Sequence, residues 1–195
     1  MTVDEEPSSG IAASVAESTV ELYAVPDSLS LDIEIGETCL GAGDWPRVIE
    51  SAVSAALRGG LSGPLPSSEI YVALVDNAQS QNLNANYRSK DKATNVLSFP
   101  GTDPDELSGA LKFSAKGGPP VMLGDLIIAD AVVASEARDQ GKSNIAHLSH
   151  LVVHGVLHLL GYDHINDSDA TEMETLEREI LEGLGIKDPY EADEK

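Results

Sequence analysis

One cysteine, Cys39, in 195 residues rules out an internal disulfide and points to a reducing compartment. Aromatic residues make up only 4% of the chain, with a single tryptophan, so the core has to be built from Leu, Val, Ile and Ala. Positive charge is scarce too. Twelve Lys and Arg stand against 33 Asp and Glu, a formal net charge of −21. A field of that sign argues against a polyanionic partner for the surface as a whole. No apolar run approaches the roughly 20 residues of a membrane-spanning helix. The acidic start Met1-Thr2-Val3-Asp4-Glu5-Glu6 lacks the positive segment of a secretion signal. These absences leave a cytoplasmic protein without membrane contacts as the expectation. The length suits one domain with a real core.

What the chain does have is histidine in one place. Three of its five histidines fall within His154-Gly155-Val156-Leu157-His158-Leu159-Leu160-Gly161-Tyr162-Asp163-His164. His154 and His158 are four residues apart and share one face of a helix. Gly161 follows the last periodic apolar residue, where a left-handed residue ends a helix and lets the chain double back with His164. Three converging imidazoles form a three-ligand zinc site with an open fourth position, the catalytic arrangement. The spacing H-x-x-x-H-x-x-G-x-x-H is that of the metzincin peptidases. However, Gly155 stands where their general-base Glu belongs, so the peptidase reading fails at the proton acceptor.

Along the chain, residues 1–27 read as an acidic, mobile N-terminal extension in which Val20 to Val25 could pair as a short strand, and 191–195 as an acidic tail. Leu29, Leu31, Ile33 and Ile35 alternate with polar residues as a half-buried strand. Asp44 before Trp45-Pro46 starts a helix that Gly59-Gly60 stops. Strands are expected at Ile70–Val75, Thr94–Phe99 and Leu123–Ile128, and helices over 77–87, 129–141 and 144–160. Residues 101–122 read as a surface loop with a small hairpin. Asp167 or Ser168 is the expected cap of a last helix with Met173, Leu176, Ile180 and Leu184 on its apolar side. The pattern predicts an α+β single domain over 28–190, a small mixed sheet flanked by helices, with the histidines at a helix C-terminus and the following loop.

The run H-G-V-L-H-L-L-G-Y-D-H resembles the signature of the YbeY family, metal-dependent endoribonucleases of ribosomal RNA maturation. A second block, from Asn84 through Tyr87-Arg88 to Thr94-Asn95-Val96-Leu97-Ser98-Phe99-Pro100, is similar to that family's N-x-x-Y-R-x-x-D-x-x-T-N-V-L-S-F-P, and Leu123-Gly124-Asp125 and Asp188-Pro189-Tyr190 also match. The resemblance implies one zinc ion on His154, His158 and His164, with Arg88 facing it across a cleft. It implies cleavage of single-stranded ribosomal RNA, with ribosomal proteins or ribosome-associated factors as further partners. Arg88 and His154 are then the expected catalytic residues. Arg88 holds the phosphoryl oxygens with its fork of donors, and Lys90 and Lys92 join it in binding substrate. An ion pair with Asp91 is the alternative for Arg88. Asp163 and His150 are candidates to orient a ligand histidine or carry a proton, as is His147. Hydrogen bonding in a turn serves Asp163 equally well.

The negative charge conflicts with an RNA substrate unless it is segregated. Much of it lies in the N-terminal segment and from Asp167 to the end, whereas Arg88, Lys90, Lys92, Lys112 and Lys116 group in mid-chain, so a local basic channel on an acidic body is expected. Two alternative functions stay open: a non-catalytic ribosome assembly factor with a structural metal, and a metal-dependent hydrolase of another class.

Overall fold

Alternation at Leu29, Leu31, Ile33 and Ile35 gives β1 (Leu29–Ile35), which turns these residues inward and Ser30, Asp32 and Glu34 outward. This computed structural model describes residues 23–190. A parallel partner for β1 requires a crossover, and α1 (Trp45–Gly60) supplies it. Its first turn is fixed by Pro46 and by the Asp44 side chain, which accepts from the Arg47 backbone N–H. Next come β2 (Ser68–Val75), α2 (Asn77–Arg88) and β3 (Val96–Pro100). They are followed by α3 (Pro104–Ser114), β4 (Val121–Ala129), α4 (Asp130–Asp139), α5 (Asn144–Leu159) and α6 (Asp167–Gly183).

The sheet order is β1-β2-β4-β3. β1, β2 and β4 run parallel, and β3 closes the edge antiparallel to β4 with Ser98 opposite Leu126. Helices α1 and α5 pack on each other and on the sheet, α1 against β1 and α5 against β3 and β4. Between them lies the core of Ile49, Val53, Leu126, Ile128, Val152 and Val156, all fully buried. The α+β class and the small mixed sheet agree with the sequence reading. No helix among the described residues is long and apolar enough to cross a membrane.

Three expectations need correction. The segment 101–122 is not a loop with a hairpin: it holds α3 and the start of β4. Asp103 caps α3, Pro104 opens it, Asp105 and Glu106 sit in its first turn and Lys112 in its last. These are start and stop signals as complete as those of α1. They are easily passed over because the apolar stripe is short, one buried Leu107 with Ala110 and Leu111 against the core. The last helix is capped by Asn166, whose side-chain oxygen accepts from Ser168 and Asp169 at 3.0 Å each, one residue before the expected cap. Of the expected Val20–Val25 strand, residues 20–22 lie outside the described residues, as do residues 1–19 of the extension and the acidic tail 191–195. Tyr23, Ala24 and Val25 belong to no strand. Tyr23 instead joins two helices, its N–H donating to Ser51 Oγ and its hydroxyl to the Gly183 carbonyl.

Candidate metal centre

The histidine face of α5 runs the length of the helix, with His147, His150, His154 and His158 on one side. Ser143 caps the helix start. Its end is a Schellman turn: Tyr162 N–H bonds to the Leu157 carbonyl, Gly161 N–H to that of His158, and Gly161 adopts φ +91°. That turn returns the chain so that ligand atoms of His154, His158 and His164 lie within 4.8 Å of one another. The arrangement is the one the spacing predicts.

The ring nitrogens of the two helix histidines support a cation site. His154 Nδ1 lies 2.7 Å from Glu177 Oε1, and His158 Nδ1 lies 3.0 Å from the Tyr162 carbonyl oxygen. Both acceptors require the proton on Nδ1. In the neutral rings both Nε2 atoms then carry lone pairs, and these face each other at 3.0 Å. Two imine lone pairs repel at that distance unless a positive charge, a shared proton or a metal ion, lies between them. Tetrahedral zinc with its usual bond lengths sets neighbouring nitrogens about 3.3 Å apart. Burial, and then the neighbouring His154, pushes the His158 imidazole below its ordinary pKa, keeping it neutral and able to ligate.

Glu177, unremarked in the sequence, organises the site. Its side chain is fully buried and takes hydrogen bonds from His154, from His150 Nε2 at 3.4 Å and from the Tyr190 hydroxyl. Burial alone would raise its pKa, but the bonds from His150, His154 and Tyr190 outweigh that and hold the carboxylate ionised. Burial and then Glu177 push the Tyr190 phenol in the opposite direction, far up. The sequence does carry a signal for Glu177. It falls four residues after Met173 and three before Ile180, a charge on the apolar side of α6.

The other candidates divide. His150 reaches His154 through Glu177. Asp163 accepts the His164 backbone N–H at 2.7 Å, a turn bond. Arg88, exposed at the end of α2, donates from Nη2 to the Ser98 carbonyl at 3.4 Å. Asp91, its alternative partner, accepts from Gln81 Nε2. Lys90 and Lys92 are exposed in the turn that follows. Ser98 in turn borders the metal helix, since a Cβ on Gly155 would sit 3.3 Å from Ser98 Oγ and 2.8 Å from Leu126 Cδ2. Gly155 thus lets α5 lie close on β3 and β4. A Glu there would strike the sheet, so the missing peptidase base reflects packing as well as chemistry.

His147 gives a pH prediction. Burial pushes its pKa below 6.5 against the pull of Glu136. As pH falls through 6.5, the unfolded chain takes up a proton that the folded site resists, so stability falls with pH. Thermal melts of metal-free protein from about pH 7.5 to about pH 5.5 should show a larger loss for wild type than for His147→Gln. Equal slopes would contradict the assignment.

Comparison with known proteins places the chain. A family model described as Endoribonuclease YbeY matches residues 42–185. A protein named Endoribonuclease YbeY from one strain of Pseudomonas putida is 56% identical over 127 residues, covering 65% of this chain and 74% of its own length. Another, from a second strain, is 55% identical over 157 residues, covering 77% of this chain and 94% of its own. The solution structure of a Thermotoga maritima protein shares the fold, with a TM-score of 0.50 at 21% identity over 84% of this chain and 100% of its own. With three-quarters of its length shared at that identity, the chain belongs to the endoribonuclease YbeY family.

Proposed function

We propose that this protein is a zinc-dependent endoribonuclease that cleaves single-stranded ribosomal RNA during ribosome maturation in the cytoplasm. Residues 28–190 form its catalytic domain and ribosome-bound proteins deliver the substrate. The observation that carries the reading is the pair of Nε2 atoms 3.0 Å apart, completed by His164, in a chain of the endoribonuclease YbeY family.

When bound, zinc would polarise a phosphoryl oxygen or lower the pKa of a water. The protein's own residues do the rest. Glu177 and the Tyr162 carbonyl hold the two helix histidines in one tautomer and orientation. Arg88, whose Nη2 donates to the carbonyl of Ser98 on the strand packed against α5, would hold phosphate oxygens as their charge grows. Lys90 and Lys92, exposed in the turn after α2, would add positive charge next to Arg88 on an otherwise acidic chain and favour RNA on that side.

Arg88→Ala should retain zinc and fold while cleavage of a single-stranded ribosomal RNA fragment falls about 10²–10³-fold. Cleavage equal to wild type would remove Arg88 from the site. Zinc-replete wild-type protein that cuts no RNA would leave the assembly-factor reading in its place.

A further inference from the structure

Beside the metal ligands lies a cavity of about 350 Å³, bounded by Glu136, Lys142, His147, His150, Tyr190 and His154. Its volume is at the low end of the ~300–1,000 Å³ of small-ligand sites, the scale of one nucleoside. His154 belongs both to this wall and to the metal centre, so an occupant would sit next to the reacting phosphate. The His150 and Tyr190 rings, edge to face with centroids 5.7 Å apart, give it aromatic walls. A larger groove along α6 offers less. It contains no ligand histidine, and its hydroxyls on Thr171 and Thr175 are spent on helix carbonyls.

The recognition element is Glu136. Asn95 Nδ2 donates to its Oε2 at 3.0 Å, and His147 Nε2 lies 2.8 Å from the same oxygen. His147 is 3% exposed and cannot move away. Both bonds thus fall on Oε2, and no described residue donates to Oε1. The Glu136 side chain keeps 34% exposure. While the Lys142 ammonium on the same wall donates to Gln140 Oε1 and the Pro189 carbonyl, a partly exposed carboxylate in a cavity next to a phosphodiester-cleaving centre disfavours phosphate and accepts from N–H or O–H donors. Among RNA components, the group that answers it is a base edge rich in donors. Guanine presents N1–H and the N2 amine side by side, whereas the uracil N3–H is flanked by two carbonyls.

We propose that this cavity is a nucleobase subsite, with Glu136 Oε1 selecting guanine at the nucleotide flanking the scissile phosphate. The inference rests on the endoribonuclease reading for its ligand.

The test uses the zinc-loaded full chain and labelled uridine hexamers carrying one guanosine, one inosine or no substitution. Anisotropy measures binding before cleavage is detectable, and cutting is followed separately. Wild type should bind the guanosine hexamer about 10–100-fold tighter than the all-uridine one, the scale of a hydrogen bond to a charged group. Inosine, which lacks only the N2 amine, should fall between them. Glu136→Gln should keep its oxygen towards Asn95 and His147, turn an amide N–H₂ into the cavity and reverse the order in favour of uridine. Equal affinities, no binding, or a guanosine preference that survives in Glu136→Gln would overturn the subsite. The inosine comparison needs only wild-type protein and stands even if the variant misfolds. Base-selective binding without cleavage would leave the subsite and overturn the nuclease reading instead.

Discussion

Replacing His154 or His158 with alanine should weaken zinc binding by on the order of 10³-fold, the largest single-residue effect expected in this protein. Apparent zinc affinities of protein sites correspond to about 10–16 kcal/mol. One ligand of three or four therefore carries roughly 3–4 kcal/mol. The loss is not recovered locally, because Glu177 and the Tyr162 carbonyl hold the remaining helix histidine in place and no other described side chain joins the cluster. RNA cleavage should disappear with the metal. Competition against a chelator of known affinity, with zinc content measured on each variant, makes the check. Wild-type zinc affinity in His154→Ala would mean that the ion sits elsewhere.

Glu177→Ala should produce the second largest effect, on two readouts at once. The substitution leaves His154 Nδ1, His150 Nε2 and the Tyr190 hydroxyl without their shared acceptor. Breaking a buried charged network by removing one partner costs about 3–5 kcal/mol. For a chain of this length that is a fall of about 10 °C in Tm. In parallel, His154 loses the group that fixes its tautomer, and outer partners of metal histidines are worth about 10–100-fold in affinity. Glu177→Gln, which keeps one acceptor oxygen, should lose less on both counts. Calorimetry of the metal-free protein separates stability from zinc binding. Unchanged zinc affinity alongside lost stability would reduce Glu177 to a packing contact between α5 and α6.

Much of the ligand geometry was written in local sequence. The i, i+4 histidines and the Gly161 turn are short-range features, and short-range features fix a helix face and its end whatever packs around them. The same holds for Asp44-Trp45-Pro46 at the start of α1 and the alternation of β1. Segment 101–122 shows the limit of pattern reading. The cap, proline and charges of α3 were all visible, but the single buried Leu107 gave the periodicity too little weight.

By itself the sequence determined the α+β class, the clustering of His154, His158 and His164 and the family, because each depends on residue types at fixed spacing. Tertiary structure alone decided how those residues work together. Glu177 is 23 positions from His154, Ser98 is 10 from Arg88, and Asn95 is 41 from Glu136. Contacts across such separations depend on how α5 and α6 cross and how close Gly155 lets α5 approach the sheet. That is a property of packing, which no local pattern in the chain encodes.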